Sequence, residues 1–397
     1  MNPLLISGFG TAINVDRRRL TVTNKLDGIK LEFYPHQIPY DSLIVDGNYG
    51  LVTFEALRWL MKHDVSVSIL NWNGALLSSI LPNAPVSSKL RIMQYNAYLN
   101  NRMRLEIAGQ VIKEKVDKSL ELLDRLSSYY TVIDVNAIRA AFSNEARISK
   151  LNSIENIMTY EGRIADIYWT NIGKIFNKLY PEFRFQRRGN KSYNHNVNAS
   201  DEINALLNYG YSILESEVKK TINAIGLDPS IGFLHEISNG RASLVCDGQE
   251  LYRWLIDLSV LQLLEDKKLK KKDFIITENF HVRLRPETAK LLIEKIRLNF
   301  NKRVHYRGKS HSYEGVLLDN IRILANHIIG KNAMKFSIPT MNIAREDNID
   351  IQNKILSINS EERKRLGINK STLWYQQKYI KEGKKIKVYG KVMNKIK

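Results

Sequence analysis

The chain has 397 residues, 44% of them hydrophobic, enough for two or three domains around a sizeable core. Its net charge of +19 points to a polyanionic partner. The lone cysteine, Cys246, excludes an internal disulfide and a cysteine-rich zinc site. No apolar run is long enough to span a membrane, and the start MNPLLISGFG lacks a signal peptide's basic region and long apolar core, so a reducing cytoplasm is the expected location.

Residues 1–85 read as a small β-rich domain. LTVT at 20–23, IKLEFY at 29–34, SLIVDG at 42–47 and VSVSIL at 65–70 have the composition and alternation of strands, and Asn73-Gly74 marks a turn. VTFEALRWLMKHD at 52–64 has helical spacing. This part carries seven basic and seven acidic residues, so it contributes nothing to the net charge. It is either a structural cap or a protein-contact surface, and its neutrality favours contact. From Ser87 to about Gly330 the pattern is helical, with NRMRLEIAGQVIKEKVDKSLELLDRLSS as the clearest amphipathic run. Arg187-Arg188-Gly189 opens a polar stretch to Asp201 that reads as an exposed loop. The lysine-rich run 267–272 reads as a solvated face that could also meet phosphate.

The last 67 residues hold sixteen basic and six acidic residues, a local charge of +10. Ser337 to Asn353, with Pro339, reads as a linker. SINSEERKRLGINKSTLWYQQKYI at 357–380 reads as a helix-turn-helix. Ser360 would cap a first helix with Glu361 and Glu362 in its first turn, anchored by Leu366 and closed by Gly367. Ser371 or Thr372 would open a second helix with Leu373 and Trp374 in its core. Lys370, Ser371, Thr372, Tyr375, Gln376 and Lys378 would then be available to DNA. The bland alternative is a helical hairpin packed on the body.

The segment GLDPSIGFLHEISNGRASLVCDGQE at 226–250 sets His235 beside a turn and Asp247 and Glu250 three residues apart, on one face if that piece is helical. An imidazole with carboxylates suits Mg²⁺ or Mn²⁺ better than a structural zinc. A core histidine near two solvated acids would give the same letters. No phosphate-binding GxxxxGK[ST] loop or dinucleotide fingerprint is present.

Together with TYEGRIADIYWTN at 159–171 and INALLNYGYSILESE at 203–217, these segments, with SLVCDGQELYRW, occur in an order that resembles the CRISPR-associated integrase family and its transposon-encoded branch, the casposases. The resemblance covers about residues 1–330. It departs where Phe-Arg-Pro often follows the acidic helix: here stand Tyr252, Arg253 and Trp254. It implies an α+β fold: an N-terminal β-rich dimerisation domain (1–85), an α-helical metal-dependent catalytic domain (86–330), and here a linker with a C-terminal helix-turn-helix (331–397). It implies Glu161, His235 and Glu250 as ligands of a catalytic Mg²⁺ or Mn²⁺. Asp247 stands behind them or at a second metal, and Glu161 opens a helix. Arg163, Arg187, Arg188 and Arg253 are the candidate phosphate contacts of the body. The implied reaction joins a DNA 3′-OH end to target DNA by transesterification, in a homo-oligomer on element ends and target duplex, with no membrane, in the cytoplasm and on the nucleoid when bound. CRISPR members of the family typically stop near residue 330, and casposases often carry an added DNA-binding segment, so the tail favours a casposase over a CRISPR adaptation integrase. A non-catalytic helix-turn-helix regulator is the third reading.

Overall fold

The computed structural model describes residues 1–7, 10–24, 28–47, 49–83, 87–134, 136–138, 140, 152–187, 198–278, 281–341, 344–346, 355–382 and 387–389. The architecture is α+β, with a β-rich N-terminal part set against a helical body. Strands β1 (Pro3–Ser7), β2 (Thr11–Asp16), β3 (Arg19–Asn24), β4 (Ile29–Phe33), β5 (Ser42–Asp46) and β6 (Gly50–Val52) precede helix α1 (Phe54–Lys62) and the hairpin β7 (Ser66–Leu70) and β8 (Leu76–Ile80). They form two sheets, ordered β1-β5-β7-β8 and β4-β3-β2-β6. The alternating apolar residues of the two sheets and α1, including Ile13, Leu20, Leu43, Leu60 and Val67, close a separate small core. The strands expected at 20–23, 29–34, 42–47 and 65–70 are present, and so is the helix within 52–64. A glycine at position 74 with φ of +80° makes the expected turn.

The body consists of α2 (Ser88–Leu99), α3 (Asn101–Ser127), α4 (Ile154–Leu179), α5 (Glu202–Ile225), α6 (Ser243–Glu250) and α7 (Arg253–Glu265), then strands β9 (Phe274–Ile276) and β10 (Val282–Leu284), helix α8 (Pro286–Asn301), the hairpin β11 (Arg303–Tyr306) and β12 (Lys309–Ser312), and α9 (Tyr313–Ile328). Helix α5 is its axis: fifteen of its residues are buried, so it is apolar on nearly every side. Gly210 lets α7 approach it, because a Cβ there would fall 2.6 Å from Ile256 Cγ2. The N-terminal part is tied to the same helix, with Tyr209 donating to Asp46 at 3.0 Å.

Residues 334–341 are not a free linker. Met334, Phe336, Ile338 and Met341 are buried in the main core. The Ile338 N–H donates to Glu114 at 2.8 Å and the Tyr313 hydroxyl to the Pro339 carbonyl at 2.8 Å. The stretch lacks any helical or strand period, yet its backbone finds partners on α3 and α9. Beyond it lie β13 (Ala344–Glu346), α10 (Ser360–Arg365), α11 (Lys370–Lys381) and β14 (Lys387–Tyr389), with β13 and β14 antiparallel.

Helices α10 and α11 form, with two capping shifts. Asn359, not Ser360, caps α10, accepting from the N–H groups of Glu361 and Glu362. Asn369 caps α11, which therefore begins at Lys370 and not at Ser371 or Thr372. Asparagine is as good a cap as serine, so the choice turns on where the backbone leaves the extended region. Gly367 takes φ of +59° between the helices, as the turn requires. Leu373 is buried with Ile355, Ile358 and Ile368, and Leu366 packs beside them. Trp374 is 54% exposed and is not a core residue: its neighbour Leu373 already occupies the inward face.

Candidate active site

Four helices, α3, α4, α6 and α7, and one loop bring the chemistry together. The loop 227–236 is clamped from below by α2 and α3. The buried Gln94 side chain donates to the Asp228 and Ile231 carbonyls at 2.9 Å and accepts from the Asp228 N–H. Arg104 donates to the Phe233 carbonyl at 3.0 Å and pairs with Glu236. The loop wraps the start of α6 so closely that a Cβ at Gly232 would lie 2.6 Å from the Ser243 carbonyl carbon and 2.8 Å from Asp247 Oδ2. Only glycine fits there.

Asp247 is the hub of this wrap. Its Oδ2 accepts the Phe233 and Leu234 N–H groups at 2.5 and 3.0 Å, and its Oδ1 accepts the His235 N–H at 3.1 Å. The same Oδ1 lies 2.7 Å from His235 Nδ1. A buried carboxylate so engaged fixes the proton on Nδ1 and leaves Nε2 as the nitrogen for a ligand. Both Asp247 oxygens are therefore spent on the loop and the ring.

One helical turn later stands Glu250, also buried. Glu161 projects from the middle of α4, two turns inside a helix that Ser153 caps, so the Tyr-Glu-Gly-Arg segment does not open the helix. Between the two carboxylates lies Lys115 of α3, whose Nζ is 2.6 Å from Glu161 Oε1 and 2.6 Å from Glu250 Oε2. Arg253 Nε is 3.0 Å from Glu250 Oε1, and its guanidinium lies over the Tyr211 ring. Burial opposes ionisation of Glu250, but the Arg253 guanidinium and the Lys115 ammonium outweigh it and hold the pKa down at about 2. Burial likewise opposes the Lys115 charge, and Glu250 and Glu161 outweigh that, leaving its pKa raised.

The contacts at Glu250 Oε2 and Arg253 Nε are electrostatic more than directional. Neither Glu250 Oε2 nor Arg253 Nε has a hydrogen bond of ordinary geometry. Among the described residues no three acidic, histidine or cysteine side chains converge as a ready-made metal cluster. Two carboxylates on one ammonium, beside an oriented imidazole, nevertheless constitute a hard oxygen-and-nitrogen donor set that fits Mg²⁺ or Mn²⁺. The structure thus brings Glu161, Glu250 and Arg253 together around Lys115, and ties His235 to Asp247 beside them.

Other expected contacts fall elsewhere. Arg163 is exposed on α4. Arg187 pairs with Asp166 and reaches the Thr170 hydroxyl. Arg188 lies outside the described residues. On the tail, Lys370, Ser371, Thr372, Tyr375 and Lys378 are exposed, Gln376 is half-buried, and Lys378 sits over the Trp374 ring.

Two functional candidates escaped the sequence reading. Lys115 is one of three lysines in IKEKVDK and only the helix face singles it out. Asp257 is fully buried in α7, where both its oxygens accept hydroxyl protons, from Tyr168 at 2.6 Å and from Tyr211. Burial pushes its pKa up to about 6, against those hydrogen bonds and the charges of Arg253 and Lys115. An aspartate inside the apolar run WLIDLSVLQLL was the available signal.

The family model for CRISPR-associated protein Cas1 matches residues 4–297. The chain belongs to the Cas1 family. The CRISPR-associated endonuclease Cas1 1 of Archaeoglobus fulgidus is 26% identical over 83% of this chain and 96% of that protein. Its namesake from Thermodesulfovibrio yellowstonii is 30% identical over 68% of this chain and 84% of that protein. A solved casposase bound to integration product is 36% identical, with a TM-score of 0.80, covering 90% of this chain and 99% of that one. Membership in this family makes the protein a DNA-acting enzyme of the integrase and endonuclease type. Among the described residues, no helix is long and apolar enough to cross a membrane.

Proposed function

We propose that this Cas1-family protein is a casposase: a DNA integrase that joins the 3′-OH ends of a mobile element to target DNA by transesterification. The observation that carries the reading is the likeness to a casposase at 36% identity over 90% of the chain, against 26% to 31% for CRISPR-associated relatives. The chain also runs on beyond residue 297, where the family match ends, into the basic α10–α11 pair. We read that pair as a helix-turn-helix for element ends, with Lys370, Ser371, Thr372, Tyr375, Gln376 and Lys378 toward DNA.

Glu161, Glu250 and His235 Nε2 would hold Mg²⁺ or Mn²⁺. Such an ion, when bound, activates a hydroxyl and polarises a phosphodiester for in-line attack. The chain's own contribution is positional. Asp247 fixes the imidazole, and Arg253 holds Glu250 ionised. The exposed Arg163 and Arg187 would meet phosphate. The electrically neutral N-terminal part exposes Leu51 and Phe54 at its β6 edge, which suits contact with a second copy of the chain. DNA is the partner, in the cytoplasm and on the nucleoid.

A second reading, the CRISPR adaptation integrase, is favoured by the names of the curated relatives. Strand transfer tests both. Purified protein with Mn²⁺ or Mg²⁺ should join terminal-repeat oligonucleotides to a plasmid. A dideoxy 3′ end should stop joining, and Glu161→Ala, His235→Ala or Glu250→Ala should abolish it while DNA binding persists. Joining from blocked ends, or by any of the three variants, would refute the scheme. Preference for short repeat-array targets over element ends would favour the second reading.

A further inference from the structure

Asp257 has no part in the scheme above, yet it faces the same space as Lys115. A cavity of about 70 Å³ is lined by Lys115, Ser119, Glu161, Tyr211, Arg253 and Asp257. At one end the ammonium bridges the Glu161 and Glu250 carboxylates. At the other is a fully buried acid whose oxygens accept, among the described residues, from the neutral hydroxyls of Tyr168 and Tyr211. The nearby guanidinium of Arg253 is already paired with Glu250.

A divalent ion between Glu161 and Glu250 must displace the ammonium, because two cations cannot share that position in a poorly solvated site. A lysine has a flexible four-carbon stem and a compact charge, so it can move without unfolding its helix. A displaced, half-buried ammonium is best held by an anion, and Asp257 is the acid lining the same cavity that the proposed metal site leaves free.

We propose that Lys115 is an exchangeable internal cation: it holds Glu161 and Glu250 together in the metal-free protein and crosses the cavity to Asp257 when a divalent ion enters. This rests on the metal site proposed above. Lys115 is a positioning residue, and Asp257 is its receiving anion. The exchange makes metal affinity depend on two residues that touch no metal, and couples them to each other.

The test is a double-mutant cycle on Mn²⁺ affinity, read by electron paramagnetic resonance of free Mn²⁺ with the full chain. Lys115→Met removes the competitor and should tighten binding about tenfold. Asp257→Asn removes the receiving anion and should weaken binding by a similar factor. The double variant should bind like Lys115→Met alone, because Asp257 matters only when there is a lysine to receive. A merely structural role for Asp257 would weaken binding equally in both backgrounds, and that result overturns the exchange. Wild-type affinity in Lys115→Met overturns it too. The metal-free Lys115→Met protein leaves the buried Glu250 and the half-buried Glu161 unbridged and can lose its fold. Recovery of native circular dichroism on adding Mn²⁺ then supports the proposal. If it does not recover, Lys115→Gln, which keeps a neutral donor between the carboxylates, replaces it in the cycle with the same criteria. No Mn²⁺ binding by the wild type would sink the metal reading itself, whereas binding that is indifferent to Lys115 sinks only the exchange.

Discussion

Asp247→Asn changes one atom in shape and reverses the logic of the loop. The carboxylate accepts three backbone N–H groups and faces His235 Nδ1. Asparagine offers one acceptor oxygen. If that oxygen takes the Oδ2 place, Phe233 and Leu234 remain satisfied, and the amide NH₂ confronts the His235 N–H. If it is flipped, two backbone donors are stranded instead. One stranded buried donor costs about 1–3 kcal/mol, and in a domain of this size each kcal/mol lowers Tm by about 2–4 °C. The ring suffers a separate change. An NH₂ facing Nδ1 turns that nitrogen into an acceptor and moves the ring proton to Nε2, the nitrogen proposed for the metal. Loss of such an orienting partner typically costs about 10–100-fold in metal affinity or activity. Asp247→Asn should therefore melt several degrees lower and bind Mn²⁺ about 10–100-fold more weakly, with strand transfer falling in step. Differential scanning fluorimetry, Mn²⁺ titration and a plasmid-joining assay on the same preparation check all three. A variant that melts lower but keeps wild-type Mn²⁺ affinity would show that Asp247 serves only the loop. One unchanged in both would refute the argument from the hydrogen-bond pattern.

The buried Asp257 gives a pH dependence of definite sign. Its folded pKa of about 6 lies above the ordinary carboxylate value, so its contribution to stability is present below about pH 4 and is lost as pH rises through about 6. Relative to Asp257→Asn, the wild type should lose Tm between pH 4 and 6.5, and parallel curves would contradict the raised pKa. On the tail, Leu373→Ala should unfold the α10–α11 unit at a cost of about 2–5 kcal/mol, seen as increased amide exchange there. Trp374→Ala should leave the fold intact and weaken DNA binding, and the reverse pattern would restore Trp374 to the core. Deleting residues 345–397 should leave Mn²⁺ binding unchanged and reduce the preference for terminal-repeat over scrambled DNA, with a shallower salt dependence. An unchanged preference would remove the tail's role in reading element ends.

The strands of residues 1–85 were legible because each pairs a period-2 apolar pattern with nearby turn residues, and α3 because its apolar residues keep a helical period. Residues 334–341 were not. Their partners, Glu114 and Glu121 on α3 and Tyr313 and Asn320 on α9, are distant in sequence, and a segment satisfied by side chains leaves no periodic trace. The candidate site divides similarly. His235, Asp247 and Glu250 sit within one short segment, so their association could be suspected from spacing. Glu161 entered only through the ordered family resemblance, since a glutamate in an amphipathic helix is unremarkable. Lys115 had no signal at all: the exposed Lys113 pairs with Asp117 and Lys118 with Glu121, and the three differ only in which way a 100° step turns them.

That asymmetry has a physical origin. The two carboxylates proposed to hold the metal are like-charged, and a chain that sets the half-buried Glu161 beside the buried Glu250 must neutralise them before any ion arrives. Arg253 can neutralise only one of the two, because it reaches Glu250 from three residues along the same chain segment. A second cation has to come from a different helix, and its position is dictated by how α3 packs on α4 and not by any local pattern. The requirement itself, however, is general. A site made of buried acids on separate helices folds in the metal-free state only if the fold supplies a cation of its own. Lys115 of α3, set between Glu161 and Glu250 and lining one cavity with the buried Asp257, supplies that cation.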